Sequence, residues 1–169
     1  MDDDHRLAVE PAAALAAARR RAVRDGDRQI DTAHLLHSLL EQDPQVRGAF
    51  DGGPQLARLL GYLVQRSIGY GLRWQGAVED SGTLPVVTAV EGFSPLAGAA
   101  LEDACLRAAG RGGALVRGVD LLAAIVADPQ ARAVEVLTRA AVDVHELRAR
   151  IEHGFEEHEA RAGRGEGAY

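Results

Sequence analysis

Two stretches decide how this chain is read: TAHLLHSLLEQDP, Thr32–Pro44, and GVDLLAAIVADP, Gly118–Pro129. In the first, Leu35, Leu36, Leu39 and Leu40 follow an i, i+1, i+4, i+5 spacing, and in the second Leu121, Leu122, Ile125 and Val126 repeat it. That spacing gathers apolar side chains on one face of a helix, whereas a strand would send alternate residues to opposite sides. Each stretch closes on Asp-Pro, Asp43-Pro44 and then Asp128-Pro129. An aspartate N-cap with proline at the first helical position, where the missing N–H is no loss, predicts a further helix start in each half. Thr32 is the expected N-cap of the first stretch. His34, just inside that helix, reads as an architectural residue that bonds back to the preceding loop.

The echo extends outward. Each half opens with an alanine-rich helix closed by glycine, Pro11–Gly26 and Ser94–Gly113, and Gly26 precedes His34 by the same interval as Gly112 precedes Asp120. Ser94-Pro95 is another cap-and-proline start, and Pro11 fits a first helical turn. A last helix follows in each half. One runs from Pro54 to about Ile68 with Leu56, Leu59, Leu60, Leu63 and Val64 on one side. The other runs from Asp143 to about Glu159 with Val144, Leu147, Ile151 and Phe155, and Asp143 and Glu146 have capping-box spacing. The pattern predicts an all-α fold, a tandem pseudo-twofold repeat of two four-helix units in one domain over residues 1–160. Repeat one spans about 7–68, an inter-repeat loop 69–93, and repeat two 94–159, with a flexible tail at 160–169. The loop holds the one β-prone segment, Leu84–Val90, and Trp74 and Tyr70 lie there, near Tyr62 and Phe93 in the sequence. Those aromatics suit a partner hot spot or a cover for the joint between repeats, and the sequence leaves both open.

Composition narrows the function classes. The chain of 169 residues is 47% apolar, 26% charged and only 4% aromatic, which suits close-packed helices of Ala, Leu and Val. All 19 basic residues are arginine. Without lysine there is no GxxxxGK[ST] phosphate loop, Schiff base or lysine general base. A net charge of −6 argues against nucleic acid as partner, and Arg19–Arg21, the one basic run, fans out over different faces of a helix. One cysteine, Cys105, allows no internal disulfide. With no basic n-region and no apolar h-region at MDDDHR and no apolar run of membrane length, the expectation is a cytoplasmic protein without membrane contact.

An alanine-rich helix, Gly, seven residues, then Thr-x-His-Leu-Leu, duplicated after Phe93-Ser94-Pro95, resembles the Clp N-terminal domain, the double four-helix repeat at the front of the Clp/Hsp100 unfoldases. The resemblance covers about residues 7–152. It implies a non-catalytic domain that recruits substrates and adaptor proteins to an AAA+ ring, here as a free-standing protein with no nucleotide module and no cofactor. The implied partners are a peptide, an adaptor protein, a Clp ATPase or protease component, or a hydrophobic small molecule. The implied binding surface lies between the repeats, lined by Leu7, Ala8, Phe93, Ser94 and Leu96. The family's Thr-Glu-His motif departs here: Ala33 and Val119 stand at the two glutamate positions that hold the guanidinium in the phosphoarginine-reading branch. Gly118 and Asp120 replace Thr and His in repeat two, and Gly98 stands at a family basic position.

Thr32, His34, Asp43 and Asp128 are therefore expected to be structural. Two uses fit the resemblance, an adaptor or competitor for a Clp unfoldase and a decoy that sequesters compounds directed at its N-domain. The rival class is a small metal- or Cys-dependent enzyme. His34, His37 and Glu41 share helical spacing without a third strong ligand, and Cys105 has no base in a matching motif. His153 and His158, among the glutamates of Glu152–Ala160, fall on different helix faces and read as a solvated surface. No catalytic residue and no metal site is expected.

Overall fold

The computed structural model describes residues 6–65, 78–79, 92–112 and 115–166. Eight helices are present among them: α1 (Val9–Arg24), α2 (Thr32–Gln42), α3 (Pro44–Gly48), α4 (Gly53–Gln65), α5 (Pro95–Gly110), α6 (Gly118–Ala127), α7 (Arg132–Arg139) and α8 (Val144–Glu166). The described residues contain no strand, only two isolated parallel bridges, Leu7–Val116 and Ile30–Phe93.

The two opening stretches become the central helices. Every residue of α2 from Thr32 to Leu40, and of α6 from Gly118 to Val126, is buried. α1 packs along α2 and α5 along α6, and these are the most extensive helix pairs. α2 and α6 also touch each other, and α7 crosses α2, α4 and α6. The palette explains the close approach: Ala14, Ala18 and Ala22 of α1, and Ala97, Ala100, Ala104 and Ala108 of α5, all lie in the same apolar core as the leucines of α2 and α6. Tyr62 and Cys105 pack against that core from its edge, whereas Phe93 is inside it.

The two bridges interlock the halves. Ala8 N–H donates to Val116 O at 2.9 Å and Val116 N–H to Arg6 O at 2.8 Å. In the same pattern Ser94 N–H donates to Ile30 O at 2.9 Å and Ile30 N–H to Gly92 O at 2.7 Å. Phe93 and Val116 stand the same number of residues after Leu7 and Ile30. α1 and α5 both end in a glycine with positive φ, Gly26 at 71° and Gly112 at 96°, a left-handed stop that costs a glycine little.

The helix boundaries depart from expectation at three points. Thr32 is not the N-cap of α2. Asp31 is, its carboxylate accepting from His34 N–H at 2.8 Å, so Thr32 begins the helix and its hydroxyl is free for another task. Asp43 caps α3 with Pro44 at the first position, as the Asp-Pro signal implies. Asp128 does not cap a helix. It accepts from Gln130 N–H at 2.9 Å in a single turn, and α7 starts later, at Arg132. α8 continues to Glu166, past the boundary expected near Glu159. Trp74, Tyr70 and Leu84–Val90 lie outside the described residues, as does most of the 69–93 stretch.

Candidate functional site

The starts of α2, α5 and α7 converge on one carboxylate that the sequence did not single out. Glu79 is 3% exposed. Its Oε1 accepts from Thr32 N–H at 2.9 Å and from the Ser94 hydroxyl at 2.7 Å. Its Oε2 accepts from the Thr32 hydroxyl at 2.5 Å and from Arg132 N–H at 2.7 Å. The Thr32 oxygen in turn accepts from Ala133 N–H at 3.0 Å, and Arg132 reaches Asp31 Oδ2 at 3.1 Å through its guanidinium. Orphan N–H groups at helix starts favour a negative charge, and here those of α2 and α7 share one with the Ser94 hydroxyl at the start of α5. Burial first, and then the charge of Asp31, push the Glu79 carboxyl above its ordinary range, more than the hydrogen bonds from Thr32, Arg132 and Ser94 pull it down.

This knot forms one side of a cavity of about 420 Å³ lined by Thr32, Leu96, Ala99, Ala100, Asp103, Ala124, Ile125, Ala127, Asp128, Pro129 and Ala131. The floor is small apolar residues of α5 and α6, with Asp103 and Asp128 also in the lining; the Asp103 carboxylate accepts from Arg107 Nε at 2.9 Å. That volume lies within the range of small-ligand pockets. A second cavity, about 310 Å³, lies between α5, α6 and α8 and is lined by Arg107, His145, Arg148 and Glu152 among others.

The residues expected to line a groove divide between the two bridges. Leu7 and Ala8 sit against Val116, while Phe93, Ser94 and Leu96 sit at the Ile30 bridge and the Glu79 knot. Phe93 is 3% exposed, with Arg19 stacked over its ring at 5.2 Å, and Ser94 is fully buried as the N-cap of α5, accepting from Ala97 N–H. Leu96 alone of the five lines the larger cavity. Ala99 was missed in sequence because a small residue in an alanine-rich helix carries no signal until a neighbouring helix stands opposite it.

The structural group is placed as follows. His34 is wholly buried, and its Nδ1 accepts from Asp31 N–H at 3.0 Å, completing a reciprocal cap with Asp31. Asp120, its counterpart in α6, does the same for Arg117 N–H at 2.8 Å and also receives the forked guanidinium of Arg111. The change from His to Asp therefore keeps the acceptor that the helix start needs. The carboxylate of Asp43 fills the space beside Gly118, where an added Cβ would lie 2.0 Å from Asp43 Oδ2. Ala33 and Val119 are buried in the apolar core, so no carboxylate is presented at those places. His34 and His37 face different partners: His37 Nε2 lies 3.3 Å from Glu41, and His34 Nε2 lies 2.8 Å from Asp27.

The architecture is thus an all-α bundle built on two central buried helices with two parallel bridges locking its halves. It is the fold of the Clp N-terminal domain. The chain is similar to the N-terminal domain of the caseinolytic protease associated chaperone ClpD from Arabidopsis thaliana, with a TM-score of 0.62 over 88% of this chain and 96% of that one, at 19% sequence identity. No protein-family model matches the sequence, and no curated protein does. Among the described residues no helix is long and apolar enough to cross a membrane.

Proposed function

We propose that this protein is a non-catalytic binding module of the Clp N-domain kind, and that it captures a short peptide or an exposed segment of an adaptor protein. The observation that carries this reading is the cavity beside the Glu79 knot. It has an alanine and leucine floor for an apolar side chain, and Asp128, beside an Asp103 already paired with Arg107 at 2.9 Å, to receive a neighbouring arginine or lysine. Ala99 and Ala127 at its edge are exposed, so a ligand reaches it from solvent. The net charge of −6 favours a basic ligand further.

The non-catalytic part rests on where the hydroxyls are. Thr32 and Ser94 both donate to Glu79 and are 1% and 0% exposed, so neither oxygen can attack a substrate. The guanidinium of phosphoarginine would find the Ala33 and Val119 methyl groups where the family's carboxylates stand, which disfavours it as ligand. Partnership with a Clp ATPase or protease, as adaptor or competitor, and sequestration of hydrophobic N-domain-directed compounds are both uses of this one cavity.

An array of short peptides carrying Leu, Ile or Phe beside Arg tests the reading when probed with the wild type and with Ala99→Arg. The substitution puts a large cation at the cavity mouth from an exposed helical position. Binding of the apolar-basic peptides by wild type and its loss in Ala99→Arg, with the melting temperature unchanged, supports the proposal. Equal binding by both proteins, or none by either, contradicts it.

A further inference from the structure

The second cavity, between α5, α6 and α8, carries the charge that the first one lacks, and we propose that it receives the acidic end of a peptide whose basic end sits at Asp128. The acidic preference stands on the second cavity alone; only the register between the two ends rests on the proposed peptide site. The two cavities are neighbours along α5. Asp103 lines the first and Arg107, one helical turn on, lines the second, and Arg107 Nε donates to Asp103 Oδ2 at 2.9 Å. α6 contributes to both, with Ala124 and Ile125 in the first and Ala123 and Val126 in the second. The Asp103–Arg107 pair is therefore a satisfied ridge between two hollows on one helix pair.

Each hollow keeps one charge that has no counter-charge among the described residues. In the first, Asp103 is engaged by Arg107, and Asp128 accepts a backbone bond from Gln130 N–H at 2.9 Å but forms no ion pair. In the second, Arg107 is shared between Asp103 and Glu152, the latter at 3.7 Å, whereas Arg148 forms neither an ion pair nor a hydrogen bond. Arg148 is exposed on α8, one turn before Ile151, which is 3% exposed. An aliphatic side chain suits the apolar lining of this cavity of about 310 Å³, and a carboxylate on the next residue meets the Arg148 guanidinium, whose fork matches it. Glu152 stands in the same lining and repels further acid, so a single carboxylate fits and a run of them does not. The net charge of −6 repels a wholly anionic ligand at long range, which favours an acidic residue carried on a ligand with a basic end. From Ala99 to Arg107 the helix rises about 12 Å, which about four residues of extended peptide span. The two aliphatic anchors of the ligand therefore stand about four residues apart.

The experiment measures fluorescence anisotropy of the N-terminally labelled, C-terminally amidated peptide Arg-Leu-Gly-Ser-Gly-Leu-Glu, and of its forms ending in Gln and in Arg, against the full chain at low salt. Wild type is expected to bind the Glu peptide roughly two- to fivefold tighter than the Gln peptide, the size of one exposed ion pair. That preference fades as salt is raised. Arg148→Gln, at an exposed position, removes the preference, and Arg148→Glu reverses it, so that the peptide ending in Arg binds tighter than the one ending in Glu. Equal affinity of wild type for the Glu and Gln peptides overturns the proposal, as does a Glu preference that survives Arg148→Glu. Amide NMR shifts with the separated halves tell this failure from that of the first cavity. Shifts at Ala99 and Ala124 with Arg-Leu, and none at Ala149 and Ile151 with Leu-Glu, sink the second cavity alone. The converse pattern sinks the first alone and leaves the acidic preference standing, and silence from both halves sinks both.

Discussion

Replacing Glu79 by alanine is the perturbation that reaches furthest into this fold. The change removes the acceptor for two backbone N–H groups and two hydroxyls, at 2.5–2.9 Å, and leaves them in a place 3% exposed. A buried donor left unsatisfied costs about 1–3 kcal/mol, and relief from burying the carboxylate returns part of the total. The hydroxyls can rotate to other acceptors; the N–H groups of Thr32 and Arg132 cannot. The expected net loss at pH 7 is therefore about 3 kcal/mol, on the order of the loss of half of a buried charge pair. The pH dependence carries a second signature. The Glu79 carboxyl titrates above its ordinary range in the folded state, so the folded protein holds this proton more tightly than the unfolded chain does. Its contribution to stability is full below the ordinary glutamate pKa and declines as pH rises through the raised folded value. The gap between wild type and Glu79→Ala should thus widen on acidification from pH 7 toward pH 5, and urea unfolding of both proteins across that range measures it. A gap below about 1 kcal/mol at pH 7, or one that narrows as the pH falls, refutes the reasoning.

Other perturbations test separate joints. Gly118→Ala sets a Cβ 2.0 Å from Asp43 Oδ2 and 3.1 Å from Val46 Cγ2, and denaturation should show a loss of about 1–3 kcal/mol, the usual cost of overpacking. Phe93→Ala empties a core position and should cost about 3–5 kcal/mol, which makes it a stability variant and not a probe of ligand contact. His34→Asp places a carboxylate against Asp25 and Asp27 and should destabilise, whereas His34→Asp with Asp25→Arg transplants the Arg111–Asp120 pair and should recover about 1–3 kcal/mol of that loss in a double-mutant cycle.

The fold was legible where one helix carries its own instructions. The Leu35, Leu36, Leu39, Leu40 face and its echo at Leu121, Leu122, Ile125 and Val126 became the two central helices, and Ser94, Asp43 and their prolines start helices as their chemistry directs. Thr32 misled because Asp31 beside it caps equally well, and local sequence does not say which of two adjacent caps is used. Asp128 misled because an aspartate–proline pair stabilises a single turn as readily as a helix start. The site was far less readable. Glu79 meets Thr32 across 47 residues and Arg132 across 53, so no spacing rule relates them.

The most direct measurement is a set of amide proton–nitrogen NMR spectra of the chain titrated with a peptide carrying leucine beside arginine. A binding module that uses the α5–α6 cavity predicts saturable shifts gathered at Leu96, Ala99, Ala100, Ala124 and Ala127, with Leu7, Ala8 and the α1–α2 turn unmoved. Shifts spread over the surface without saturation, or confined to residues away from that cavity, would contradict it.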